Sequence, residues 1–400
     1  MRLIIQEKTN WKFLIVVFIL SVVVGGIALW YINKTEFIYE PAEIKNSEEK
    51  NLTDEEIKEK IGQMIMIGFR GTTASEDSNI YKIIKDVKIG GVMLFDYDVP
   101  SDSFPRNIVN PDQTKKLISD LQNYSPLPLF MAVDAEGGKI NRLKPEYGFL
   151  KIPSPSDMGQ DKTLETTNKE SERLAEELKN LGFNMNLAPV VDININPRNP
   201  IIGNLGRSFS SDPEVVVNNA RIFIENHSKN NIIAVAKHFP GHGSSAQDSH
   251  LGMVDITDTY QEEKELLPYK ELTKEGLLSA VMTAHIVNKN IDPNFPATLS
   301  SAFLQKILRE EIGFKGIIIS DDIQMAAITN NYEFDKAVIM AVNAGCDIIS
   351  VSNNNYEGYD ELAAYKVRDI IFNAVKEKKI EERRIIESYD RIINLKNSLK

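Results

Sequence analysis

Eight short apolar runs alternate with longer amphipathic stretches along most of this 400-residue chain. Continuous apolar runs of this length are typical of parallel strands that are buried on both faces. The alternation predicts an α/β fold of eight strand–helix units, for which we favour a (β/α)8 TIM-type barrel over a doubly wound open sheet. The runs cover residues 64–69, 89–95, 128–133, 183–191, 232–239, 278–287, 316–320 and 346–351.

The stretches between the runs carry helix start and stop residues. Pro213 directly follows Asp212, which is a common helix start, and Gly276, Gly313 and Gly345 each follow a helical stretch as a C-terminal cap does. We expect one barrel domain over residues 54–400, with no second domain after it. Helices are predicted over residues 171–180, 213–229, 261–275, 300–311 and 334–343, with helix-like sequence over 360–399.

The N-terminal segment predicts a membrane anchor. Residues 13–31 are uncharged and mostly apolar, and as a helix they would nearly span a hydrocarbon core of roughly 30 Å. Basic residues precede this run, so we expect a single-pass anchor over residues 1–32 with its basic end in the cytoplasm. A tether over 33–53 would then lead to an extracytoplasmic domain at the cell membrane. A cleaved signal peptide, giving a secreted protein, is the alternative.

Composition disfavours several classes of partner and cofactor. The formal net charge is −11, which argues against nucleic acid, because its phosphates require a basic protein face. Cys346 is the sole cysteine, so the chain can form neither an internal disulfide nor a cysteine-based metal site. The nucleotide-binding patterns GxxxxGK[ST] and GxGxxG are absent from the sequence.

Polar side chains collect where the predicted strands end, which is where barrel enzymes carry their active sites. One aspartate after a strand can equally be a helix N-cap, and one histidine in a strand can be a hydrogen-bonded core residue. Clustering at one face of the barrel favours a functional site instead. The residues at these ends are Asp134, Asp192, Lys237, His238, His285, Asp321 and Asp322.

Two stretches predict acid–base and nucleophilic chemistry. In the loop KHFPGHGSSAQDSH, residues 237–250, Asp248 precedes His250 by two positions. Its carboxylate can therefore accept the imidazole N–H and hold the ring in one tautomer, which suits a general acid and base near neutral pH. Asp321, at the tip of a buried strand, can act as a nucleophile or charge stabiliser. Retaining glycoside hydrolysis needs this combination of groups.

Metal and serine chemistry are weaker interpretations of the same loop. His238, His242, His250 and Asp248 could in principle ligate Zn²⁺. No HExxH pattern is present, and Lys237 would place a cation beside the ligands. The GxSxG motif of Ser–His–Asp hydrolases is also absent. We therefore expect no metal and no organic cofactor.

Six stretches together resemble the single-domain β-N-acetylhexosaminidases of glycoside hydrolase family 3, the peptidoglycan-recycling type. They run in the family's order, and the resemblance covers most of the body from about residue 55 to 395. The matching stretches are residues 132–143, 188–203, 206–213, 237–250, 282–287 and 320–328.

The resemblance implies a role for each matching residue. Asp321 resembles the nucleophile that forms the glycosyl-enzyme, and His250 resembles the general acid/base, oriented by Asp248. His285 and Met325 are expected to line the pocket. The positions that hold the sugar in this family are matched by Asp134, Arg142, Arg207, Lys237 and His238, while Glu136 and Asp192 are expected to brace loops.

Two departures from the family pattern leave the leaving-group preference open. Ser244 stands where an acidic residue is common, and the loop that begins Phe95–Asp96–Tyr97 matches no pattern that we can place. The resemblance implies a surface-anchored, monomeric, retaining exo-β-N-acetylglucosaminidase acting on peptidoglycan fragments. Three alternatives stay open: a phosphorylase with the same site, another β-glycosidase, and a non-catalytic wall-binding barrel.

Overall fold

The eight predicted strands form one parallel sheet that curls into a nearly closed barrel in the computed structural model of the chain. The structure describes residues 52–249, 251–356 and 358–399. Each apolar run contributes one strand, which confirms the expected set of eight. The strands are β1 Ile65–Gly68, β2 Gly91–Met93, β3 Phe130–Val133, β4 Met185–Asn186, β5 Ile233–Phe239, β6 Ala280–Thr283, β7 Ile317–Ile319 and β8 Ile349–Val351.

Sheet order follows chain order, and the last strand returns to the first. Strands β1 to β7 pair in sequence, and β8 pairs in parallel with β1, where Ile65 lies opposite Ile349. The junction between β7 and β8 is shorter, with one parallel bridge between Ile319 and Ile348. This closure decides in favour of the barrel over an open sheet, because an open sheet leaves its two outer strands apart.

Helices cover the outside of the barrel and follow each strand. The longer α-helices are Asp54–Gln63, Asn79–Asp86, Pro111–Tyr124, Glu165–Leu181, Pro213–Lys229, Leu267–Lys274, Phe334–Ala344, Ala363–Lys376 and Glu382–Asn397, with a π-helix over Ala302–Glu311. Shorter helices are Pro155–Met158, Glu262–Glu265 and Ala326–Thr329, with 3₁₀ turns at Pro145–Tyr147 and Ala297–Leu299. Two small strand pairs lie outside the barrel, Ala135–Gly137 with Ile140–Asn141 and Val254–Asp255 with Ile286–Val287.

Local chemistry explains the agreement and the differences. Helix Pro213–Lys229 has the predicted bounds, and the Asp212 carboxylate accepts the Glu214 N–H at 3.0 Å as its cap. The helix predicted over 261–275 is divided into two, because Pro268 lacks the N–H that would continue it. All three predicted glycine caps adopt a positive φ.

The buried Asp347 carboxylate holds the shorter β7–β8 junction and the C-terminal helix together. It accepts the Ile318 N–H at 2.9 Å, so the side chain bridges the two strands. It also accepts Arg309 from the π-helix at 2.6 Å, and Arg384 and Arg391 from helix Glu382–Asn397 at 3.1 and 2.9 Å. One carboxylate therefore connects three parts of the fold.

The predicted anchor over residues 1–32 and nearly all of the tether over 33–53 lie outside the described residues. Among the residues that the structure describes, no helix is long and apolar enough to cross a membrane.

Candidate active site

A cavity of about 590 Å³ lies at the carboxyl ends of the barrel strands. His250 lies outside the described residues. The predicted site residues come from distant parts of the chain, so the closed barrel is what brings them to one place. Eight of them border this cavity: Asp134, Arg142, Arg207, Lys237, His238, Asp248, Asp321 and Met325.

Two buried cations and two carboxylates alternate along one wall of the cavity. Lys237 Nζ lies 2.7 Å from Asp134 Oδ1 and 2.8 Å from Glu136 Oε1. Arg207 donates two parallel hydrogen bonds to Glu136, at 2.7 and 2.8 Å. Burial alone would raise the pKa of Glu136, but Arg207 and Lys237 lower this pKa to about 2. Glu136 therefore stays ionised and holds both cations in place, in keeping with the bracing role expected of it.

Asp192 holds the ring of His238 against this wall. Its carboxylate lies 2.7 Å from His238 Nδ1 and also accepts the His242 N–H at 2.7 Å. Burial opposes ionisation of Asp192, but its contacts with the ring of His238 and with the His242 N–H lower its pKa below the ordinary value. Because Nδ1 donates to a carboxylate, His238 Nε2 is left as the acceptor for Arg207, 3.3 Å away. Asp192 thus fixes both the tautomer and the orientation of the ring.

His242 braces the loop that carries Asp248. Its Nδ1 lies 2.8 Å from Ser245 Oγ and its Nε2 lies 3.1 Å from Ser249 Oγ. Burial lowers the pKa of His242 to about 4, so the ring is neutral near pH 7. Among the described residues, no group of three or more His, Cys, Asp or Glu side chains could hold a metal ion. The sequence already disfavoured metal binding by His242, but it did not predict the contacts of this ring with Ser245 and Ser249.

A buried hydroxyl network lies beneath Asp321. The Asp321 N–H donates to Thr283 Oγ1 at 3.3 Å, and Thr283 Oγ1 is 2.7 Å from Thr298 Oγ1. Thr298 Oγ1 is also 2.8 Å from His285 Nδ1, and His285 Nε2 donates to the Asp322 carbonyl at 2.9 Å. The sequence did not single out Thr298, because the contact joins residues 13 to 15 positions apart through a 3₁₀ turn.

His285 therefore differs from its expected position. We predicted that it lines the pocket with Met325, but its ring is fully buried beneath the floor and does not border the cavity. Its two ring nitrogens are used by Thr298 and by the Asp322 carbonyl, so the side chain supports the strand end that presents Asp321.

The Asp322 side chain links the end of β7, at the floor of the cavity, to the loop after β8. It does not cap the next helix. Its Oδ1 accepts the N–H of Gln324 at 3.1 Å and the N–H of Ser352 at 3.0 Å, and its Oδ2 accepts the Ser352 hydroxyl. Burial raises the pKa of Asp322. The following helix, Ala326–Thr329, begins after Met325 without a side-chain cap.

The loop after β2, which matched no family pattern, carries a buried carboxylate, Asp96, that pairs with two cations. The side chain is fully buried, with Lys144 Nζ 2.8 Å from Oδ2 and Arg142 Nη1 3.7 Å from Oδ1. Two half-exposed cations thus share one buried carboxylate, which sets the position of Arg142 at the cavity edge. The pairing joins loops 46 positions apart, so no local pattern could have revealed it.

Comparison of the chain with known protein families identifies the family to which it belongs. A model of the glycosyl hydrolase family 3 N-terminal domain matches residues 56–395. The chain belongs to glycosyl hydrolase family 3. The resemblance to family 3 β-N-acetylhexosaminidases is confirmed, and so is the prediction that the chain is a glycoside hydrolase.

Individual relatives support this assignment. The chain is 32% identical over 328 residues to a beta-hexosaminidase of Nitrosomonas eutropha, covering 80% of this chain and 88% of the relative. It is 37% identical over 301 residues to a beta-hexosaminidase of Shewanella frigidimarina, covering 73% and 82%. A family 3 beta-N-acetylglucosaminidase of Paenibacillus sp. FPU-7 superimposes with a TM-score of 0.77 at 33% identity, covering 87% of this chain but 63% of that structure.

Proposed function

We propose that this family 3 glycoside hydrolase is a retaining exo-β-N-acetylglucosaminidase that removes terminal N-acetylglucosamine from peptidoglycan-derived fragments. The observation that carries the proposal is the common cavity of Asp321 and Asp248 with Lys237, Arg207 and Arg142. This cavity combines a carboxylate at the strand tip, the dyad partner of His250, and charged donors for sugar oxygens.

The proposed reaction has two steps. Asp321 attacks the anomeric carbon and forms a glycosyl ester, while protonated His250 donates its proton to the departing glycosidic oxygen. Water then attacks the anomeric carbon of this ester, neutral His250 takes a proton from that water, and Asp321 leaves the anomeric carbon as a carboxylate. Asp248 orients the imidazole in both steps. The hydroxyl network beneath Asp321 supports its attack by fixing the backbone on either side of it.

Charged side chains along the cavity support recognition of a sugar. Asp134 can accept hydrogen bonds from two hydroxyls, and Lys237 and Arg142 can donate to sugar oxygens. The N-acetyl preference is supported by relatives named beta-hexosaminidase and beta-N-acetylglucosaminidase. We extend the proposal to a monomer held at the cell membrane by residues 1–32, with its barrel outside the cytoplasm, on the strength of the apolar run over 13–31. Secretion after cleavage of this segment is the alternative.

Turnover of two substrates tests the proposed roles. We expect Asp321→Asn to remove nearly all hydrolysis of 4-nitrophenyl and methyl N-acetyl-β-glucosaminide, because no nucleophile remains. His250→Ala should lower kcat far more for the methyl glycoside, whose poor leaving group needs the proton. Asp120→Asn, on the surface helix Pro111–Tyr124, is the matched control and should retain full activity.

The same assay separates the open alternatives. A large rate increase with added phosphate, together with a sugar 1-phosphate product, would identify a phosphorylase instead. A preference for glucosides over N-acetylglucosaminides would identify another β-glycosidase. Undiminished rates in both Asp321→Asn and His250→Ala would contradict the proposed chemistry altogether.

A further inference from the structure

Exposed apolar side chains collect at the mouth of the candidate active-site cavity. Seven large apolar side chains are exposed among the described residues, and three of them, Tyr97, Leu251 and Tyr356, border this one cavity. Apolar side chains that face water around one cavity are typical of a ligand-binding region. The proposed chemistry at Asp321 does not use these three side chains, so the mouth has a function still to be assigned.

Two of the three side chains are tyrosines on neighbouring loops. Tyr97 follows β2 and is 36% exposed, and Tyr356 follows β8 and is 92% exposed. The Tyr97 hydroxyl donates to Asp102, which fixes the direction of its ring. Asn355 pairs with Gly358 in a tight turn, and Tyr356 lies at the tip of this turn. Both rings therefore stand at the rim, beyond the charged wall of the cavity.

Polar contacts hold the two loops together. The Asn354 side chain accepts the Val99 N–H at 2.9 Å and donates to the Tyr97 carbonyl at 3.0 Å. Beneath it, Arg106 is 1% exposed and donates to the Asn353 carbonyl at 2.7 Å and to Asn354 Oδ1 at 3.1 Å. A rim built in this way loses little conformational entropy when a ligand binds to it.

The size and chemistry of the mouth suit a second sugar ring. Cavities of about 300–1,000 Å³ enclose drug-sized ligands, and this one, at about 590 Å³, has room for more than a monosaccharide. A pyranose carries C–H groups on its faces and hydroxyls at its edge. Its C–H groups, with partial positive charge, are attracted to the negative face of an aromatic ring. The side chains of Gln324 and Asn355 border the same region and can meet the hydroxyls.

We propose that Tyr97 and Tyr356 form a second sugar-binding subsite, which holds the pyranose ring of the leaving group. The inference rests on the proposed function, because the first sugar must be bound with its anomeric carbon at Asp321. Its consequence is a preference for oligosaccharides over glycosides with a small, non-sugar leaving group. Part of the binding energy of the second ring is then available to position the bond that breaks.

A comparison of two substrates tests the subsite. The β-1,4-linked disaccharide of N-acetylglucosamine offers a second pyranose, whereas methyl N-acetyl-β-glucosaminide does not. We expect Tyr356→Ala to lower kcat/KM for the disaccharide about tenfold more than for the methyl glycoside. Tyr356→Phe keeps the ring and should retain the disaccharide preference. Phe295→Ala removes an exposed aromatic ring that does not border the cavity, and serves as the matched control.

Calorimetry on the Asp321→Asn chain measures the subsite without turnover. In this background, Tyr356→Ala should weaken disaccharide binding about tenfold and leave the affinity for free N-acetylglucosamine within twofold. Equal losses on both ligands, or no loss on either, would overturn the second subsite while the wild-type turnover assay upholds the proposed function. A wild-type chain that turns over neither substrate would overturn the proposed function, and the calorimetry would still decide whether the subsite exists.

Discussion

At the residue scale, the site depends on charges that are buried together. Lys237, 3% exposed, lies between Asp134 and Glu136. Burial alone would lower its pKa, but these two carboxylates raise the pKa above its ordinary value. A buried ion pair adds little net stability, whereas removing one partner leaves an uncompensated charge at high cost. This asymmetry makes the wall sensitive to single substitutions.

Substitution of Glu136 by Gln should destabilise the fold by about 3–5 kcal/mol, because Arg207 and Lys237 lose their shared counter-charge. The pKa of Glu136 is about 2, below its ordinary value of 4.5. The stabilisation it provides is therefore complete above pH 4.5 and is lost as the pH falls through this window to 2. Urea unfolding at pH 7 and pH 3 measures both effects. Glu263→Gln, at an exposed helix position, is the control, and an equal effect of the two substitutions would contradict the prediction.

Substitution of Thr298 by Val should lower kcat about tenfold with little change in KM, because it removes the hydroxyl that contacts Thr283 and His285. The two side chains have similar shapes, so packing is largely kept. Thr298→Ser restores the hydroxyl and should recover most of the rate. Initial-rate kinetics with the methyl glycoside decide the matter. An equal loss in the Ser and Val variants would contradict the prediction, because the hydroxyl that Ser retains would then fail to restore the rate.

At the element scale, hydrophobic periodicity predicted the helices and strands, but it did not predict the contacts between residues that are distant in sequence. All eight strands and the bounds of helix Pro213–Lys229 follow from local sequence, because burial and capping leave local patterns. Strand ends likewise predicted that Asp134, Lys237 and Asp321 lie together. The supports supplied by Asp96 and Thr298 depend on partners that are distant in sequence, and no local pattern records such contacts.

The loop that follows β5, residues 240–249, packs on a buried acid in the next helix. A Cβ at Gly241 would come within 2.6 Å of Glu265 Oε2, so the loop packs directly on this carboxyl group. Burial raises the pKa of Glu265 to about 7, although polar groups nearby, including the Gln261 N–H at 3.3 Å from Oε1, partly oppose this. An acidic residue at position 244, common in the family, would add a second carboxylate there. Ser244 avoids this repulsion.

Substitution of Glu265 by Gln should therefore stabilise the chain at pH 8. The folded pKa of about 7 exceeds the ordinary 4.5, so the contribution of this group to stability is complete below pH 4.5 and is lost as the pH rises towards and above 7. Gln stays neutral, and the expected gain is up to about 3 kcal/mol at pH 8 and close to zero at pH 4.5. Chemical unfolding at both pH values measures it. A gain that does not change with pH would contradict the titration of Glu265.

At the scale of the whole molecule, the barrel has one weak junction, between β7 and β8. The other strand pairs share two or more registered positions, whereas this junction has a single bridge at Ile319 and Ile348. Asp321 and Asp322 directly follow β7, so the candidate nucleophile sits beside the shortest pairing. The sequence predicted the closed topology from eight repeated units, but the strength of each junction depends on tertiary contacts that the pattern does not contain.

Asp347 compensates for this short pairing, and its substitution by Asn should destabilise the whole barrel by about 3–5 kcal/mol. Asn cannot balance the charges of Arg309, Arg384 and Arg391, and it weakens the side-chain contact to the Ile318 N–H that links the two strands. Because the same carboxylate holds the C-terminal helix, we expect one cooperative unfolding transition at lower urea concentration. Asp390→Asn, at an exposed position of that helix, is the matched control. Separate transitions for helix and barrel, or a loss no larger than in the control, would show that Asp347 does not join them.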